Sequence, residues 1–118
     1  MDIEKIRDYC LAKKGADEAF PFDDTTLVFR VQGKMFAVLL LDKPDRVILK
    51  CDAEYAAALR ERYEGVEPAW HFNKKYWNQV FFERDVDDAL ILHLVDHSLD
   101  EVLKKLPRTL RDAYDRLA

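Results

Sequence analysis

At 118 residues and 13.9 kDa the chain holds one ordinary domain's worth of material. With 49% hydrophobic and 36% charged residues but only 3 Gly and 4 Pro, it has the apolar content of a folded core and little of what keeps chains disordered. Its formal charge of -4 excludes the strong nonspecific nucleic-acid field of a highly basic domain, although residues 25–84 are mildly basic between two acidic ends. The longest apolar run, Phe36 to Leu41, is far shorter than a membrane span, and Met1-Asp2-Ile3-Glu4-Lys5 lacks a signal peptide's apolar stretch, so a cytoplasmic protein is expected. Cys10 and Cys51 have no C-x-x-C spacing and read as reduced core residues.

Along the chain, Asp2 caps a first helix whose Ile3, Ile6 and Cys10 share a face, with Gly15 as its stop. From Thr25 to Leu41, β-branched and aromatic residues alternate around Gln32-Gly33, which predicts two strands joined by a tight turn. A third strand spans Arg46 to Cys51, with Val47, Leu49 and Cys51 buried and Arg46, Ile48 and Lys50 on the opposite face. Asp52 caps a second helix, Ala53 to Tyr63, which ends before Gly65. The aromatic run Trp70-His71-Phe72, the polar turn Asn73-Lys74-Lys75 and the segment Tyr76 to Glu83 read as a second hairpin.

Asp87 caps a helix running to about His97. Ser98 and Glu101 have the spacing of a capping box, which predicts a new helix or a bend there. A last amphipathic segment follows Pro107. The expected fold is α+β, an antiparallel sheet of about five strands in the order α-β-β-β-α-β-β-α-α, with helices on one face and the other open to solvent.

No nucleophile motif or Gly-rich phosphate loop is present, and carboxylate pairs such as Asp23-Asp24 fall at turns and caps, so a non-enzymatic protein is expected. His93 and His97 are four residues apart on a helix but lack the glutamate of a metalloprotease motif and a third fixed ligand, so no metal or other cofactor is assigned. The middle of the chain interleaves cations with rings. Lys34, Lys50, Lys74 and Lys75 suit phosphate contacts, while His71, Asn73 and Trp77 can orient or stack on bases.

The segments F-P-F-D at Phe20 to Asp23, V-F-R-V-Q-G-K-M-F-A at Val28 to Ala37, L-K-C at Leu49 to Cys51 and W-H-F-N-K-K-Y-W-N at Trp70 to Asn78 resemble the MmcQ/YjbR family of small bacterial proteins. The resemblance spans essentially the whole chain. It implies a fold like that of CyaY and frataxin, and a DNA-binding role through a double-wing arrangement. This chain departs from the family pattern at Asp23, Trp70 and Tyr76, where glycine, tyrosine and histidine are common. Weak, salt-sensitive DNA binding is the leading expectation, and a protein-interaction or small anionic ligand module is the alternative.

Overall fold

The three aspartates read as helix starts all act as caps in the computed structural model of the chain, which describes residues 1–118. Asp2 accepts the Lys5 N–H at 2.8 Å ahead of α1 (Ile3–Leu11), and Asp52 accepts the Tyr55 N–H at 3.1 Å ahead of α2 (Ala53–Arg62). Asp87 does the same for Leu90 at 2.8 Å ahead of α3 (Asp88–Lys104). Pro107 separates α3 from α4 (Arg108–Asp115).

Six strands, one more than expected, form a single antiparallel sheet. In chain order they are β1 (Ala16–Ala19), β2 (Thr26–Val31), β3 (Lys34–Leu40), β4 (Arg46–Lys50), β5 (Val66–Pro68) and β6 (Trp77–Phe81). In space the order is β1-β2-β3-β4-β6-β5. The added strand is β1, whose Ala-Asp-Glu-Ala composition carries no strand propensity of its own. It is held from both sides by charge. Arg30 of β2 donates to Asp17 at 3.0 Å, and Arg7 of α1 donates to Glu18 at 2.8 Å.

The Gln32-Gly33 turn has both residues at positive φ, +50° and +77°, the geometry of a two-residue type I′ hairpin. Val31 faces Lys34 and Arg30 faces Met35 as that turn requires. An unbroken two-residue hairpin would also set Phe29 against Phe36, but a bulge pairs Phe29 with Ala37 and leaves Phe36 without an opposite residue. The freed Phe36 carbonyl accepts from the Ser98 hydroxyl at 2.5 Å, and the Ser98 oxygen in turn accepts the Lys50 N–H at 2.9 Å.

Ser98 is therefore no helix start. It is fully buried inside one continuous α3 and ties that helix to β3 and β4, while Glu101 pairs with Lys104 at 2.9 Å. The second hairpin is also displaced from expectation. Its first strand is Val66–Pro68, and the aromatic run Trp70-His71-Phe72 lies in the loop beyond it.

The helices cover one face of the sheet with a cluster of 22 buried residues, among them Ile6 and Cys10 of α1, Ala56 and Leu59 of α2, and Ile91, Val95 and Val102 of α3. The opposite face is not open, which corrects the sequence-based expectation. Val28, Val38 and Ile48 form a smaller cluster there with Ala69 and Trp77, and Phe72 and Tyr76 pack against it. A loop, residues 69–76, thus roofs part of the second face. No helix is long and apolar enough to cross a membrane.

Candidate functional site

Strand direction brings the cationic residues together. β3 begins at Lys34, β4 ends at Lys50 and β6 begins at Trp77, and Lys50 pairs directly with Trp77, so the tips of both hairpins lie at one end of the sheet. Lys34, Lys50 and Trp77 line a hollow of about 300 Å³ there, joined by Lys105 from just beyond α3. The Lys105 Nζ lies 4.6 Å from the centre of the Tyr76 ring, with the Lys75 Nζ 5.5 Å from the same ring.

Lys34, Lys50, Lys74, Lys75 and Lys105 form no ion pair, whereas Arg7, Arg30, Arg46, Arg84 and Arg111 each hold a carboxylate. Partial burial, and secondarily the charge of Lys105, push the Lys50 ammonium below the ordinary lysine pKa. An anion placed in this hollow would relieve that penalty.

The 69–76 loop is built by its own polar groups. Asn73 accepts the Lys75 N–H on its side-chain oxygen at 3.1 Å, and its carbonyl accepts from both Tyr76 and Trp77 at 3.0 Å, so this residue shapes the turn. Arg60 of α2 anchors the loop by donating to the Lys74 carbonyl at 3.0 Å. Lys74 and His71 are exposed, and the Lys74 Nζ sits 4.2 Å from the centre of the Trp70 ring.

Trp77 is only 8% exposed, with the Phe72 ring 5.3 Å away, so its faces are occupied by packing and only part of it reaches the hollow. Trp70, 62% exposed, is the ring this loop presents to solvent. Asn78 points to the helix side, where its amide nitrogen donates to the Ala56 carbonyl at 3.4 Å and its oxygen finds no partner in the chain.

The structure gathers Lys34, Lys50 and Trp77 at one hollow and brings Lys75 beside it on Tyr76. His71 faces a second hollow over the sheet, and Lys74 is engaged on Trp70. Lys105 was missed by sequence reading because it lies 55 positions beyond Lys50. The Lys104-Lys105 pair ahead of Pro107 is the only local signal for it. Of the two histidines of α3, His97 has other work: its Nε2 accepts the Asp52 N–H at 3.1 Å and its ring meets Tyr55 edge-on. No group of three His, Cys, Asp or Glu side chains converges as a metal site would require.

The chain is thus a small α+β domain with helices on one sheet face, a loop roof on the other and a lysine cluster at one end. The YjbR family model matches residues 11–101, and the chain belongs to that family. It is 31% identical over 112 residues to the protein YjbR of Escherichia coli (strain K12), covering 94% of this chain and 95% of that one. It is 28% identical over 90 residues to YbdF of Escherichia coli O157:H7, covering 75% and 74%.

Among solved structures, the Deinococcus radiodurans protein DR2400 superposes with a TM-score of 0.88 at 32% identity, covering 96% of this chain and 87% of that one. A Pseudomonas syringae protein superposes at 0.69 with 25% identity, covering 83% and 96%.

Proposed function

We propose that this chain is a non-enzymatic DNA-binding module of the bacterial cytoplasm that grips the phosphate backbone with the lysine end of its sheet. The observation that carries the reading is the convergence of Lys34, Lys50, Lys75 and Lys105, none of them ion-paired, around Trp77 and Tyr76. The tip of the first hairpin lies at the same end of the sheet, and the 69–76 loop, folded back over the second face, adds Lys75 beside it in place of a second projecting wing. Lys74 and Trp70 extend the contact surface. Trp70 takes over the stacking role expected of Trp77, whose faces are packed.

Because the chain as a whole is acidic, binding is weak and depends on salt. Fluorescence anisotropy with a labelled duplex across a salt series gives a log-log slope of about -3 to -4 if the four converging lysines each neutralise a phosphate. Lys34→Gln and Lys105→Gln each flatten it by about 0.9. Absence of binding at low salt, or a slope unchanged in both variants, removes the reading. The alternative, a module for an anionic small ligand or a partner protein, calls for saturable binding that DNA does not compete away. NMR titration separates the two through whichever partner shifts the Asn73 to Asn78 amides.

A further inference from the structure

The roofing loop creates a second hollow, which neither Lys34 nor Lys50 lines. It has a volume of about 470 Å³, within the usual span of small-ligand clefts, roughly 300–1,000 Å³. Its floor is the loop-covered sheet face, through Met35, Leu40 and Ile48, and Phe22 and Trp70 stand on its lining. These two are the most exposed large hydrophobic residues of the chain, at 65% and 62%. Exposed apolar residues scattered singly need no explanation, but two aromatics lining one apolar hollow mark a site that gains by being filled.

The polar part of the lining sets the sign of the occupant. Lys43 and Arg46 bring positive charge, His71 adds a hydrogen-bonding ring, and Asp23 brings the only carboxylate. Asp23 is committed to its own loop. It accepts the Thr25 and Thr26 N–H groups at 2.9 and 2.7 Å, which hold its carboxyl below the usual carboxylate range. Arg46 is fixed by Asp45 at 2.8 Å, by the Gln79 side-chain oxygen at 3.0 Å and by the Phe81 ring below it. Lys43 has no carboxylate partner. A single negative charge is therefore accommodated toward Lys43 and Arg46, whereas the nearby Asp23 and Asp45 carboxylates disfavour a multiply charged phosphate.

We propose that this cleft binds a small carboxylate with an apolar, aromatic body, its ring over Met35 and Ile48 between Phe22 and Trp70 and its carboxylate toward Lys43. The cleft shares Met35 with the lysine hollow and Trp70 with the proposed DNA surface, but its charged groups, Lys43 and Arg46, are separate from Lys34, Lys50 and Lys105, so the two proposals are tested by different lysines.

The test is a ¹H–¹⁵N NMR titration of the full chain with 4-phenylbutyrate and, separately, with the neutral 4-phenylbutyramide. The carboxylate is expected to produce saturable shifts at Phe22, Lys43, Ile48 and His71, and the amide to bind more weakly. Lys43→Gln, at an exposed position, weakens the carboxylate about 2- to 5-fold and leaves the amide unchanged. Trp70→Ala, also exposed, weakens both ligands by about 2- to 10-fold. Three results overturn the proposal: no saturable shift up to about 10 mM carboxylate, equal affinity for amide and carboxylate, or shifts confined to Lys34, Lys50 and Lys105.

Discussion

The two faces of the one sheet are covered by different means. Three helices bury 22 residues against the first face, and a single loop buries a five-residue cluster against the second. The first arrangement excludes water from a continuous apolar layer and carries most of the stability. The second leaves hollows at both sides of the loop, one lined by lysines and one by aromatics. Concentrating burial on the helical side leaves the other face only partly roofed.

Urea denaturation of truncations on each side breaks or sharpens this contrast. Phe29→Ala removes a fully buried ring from the helix side and is expected to cost about 3–5 kcal/mol. Next in size is Ser98→Ala, which strands the Phe36 carbonyl and the Lys50 N–H and is expected to cost about 1–3 kcal/mol. Because Ser98 fixes the end of β4, the same variant should also weaken any anion held at Lys50, with little change at the aromatic cleft. Phe72→Ala, on the loop side, removes a half-buried ring and is expected to cost only about 1 kcal/mol while shifting the Trp77 fluorescence. If Phe72→Ala proves as damaging as Phe29→Ala, the two faces are energetically alike and the division of labour fails.

Smallest at neutral pH, and growing only in alkali, is the effect of the two buried thiols. Burial pushes the Cys10 and Cys51 thiols up to about 12, against 9.0 for a free thiol. Raised folded-state values mean that the unfolded chain loses these protons first, so the stability they contribute is complete below about pH 9 and declines as pH rises toward 12. Both thiols should resist alkylation at pH 8 in the native protein and react on addition of urea.

Much of this architecture is written in short-range patterns. The caps at Asp2, Asp52 and Asp87, the Gln32-Gly33 turn and the placing of Val47, Leu49 and Cys51 on the face opposite Ile48 each depend on residues only a few positions apart, and each is found where the pattern puts it. The failures share one cause, because in each a distant partner decides the outcome. Ala16–Ala19 becomes a strand through arginines on β2 and α1, and Ser98 looks like a cap until a bulge in β3 gives its hydroxyl a carbonyl to serve.

The site divides in the same way. Lys34 and Lys50 belong to readable strands, and their proximity follows from antiparallel pairing. Lys105 and the folding of the aromatic run back across the sheet depend on tertiary contacts no local pattern encodes.

The rims of the sheet have a consequence for life at high concentration. One outer strand has four residues, two of them acidic, and the other has three and ends in Pro68, which has no N–H to donate. Neither margin offers a long ladder onto which a neighbouring molecule could zip, so the protein is guarded against strand-by-strand aggregation even while it leaves Phe22 and Trp70 in water.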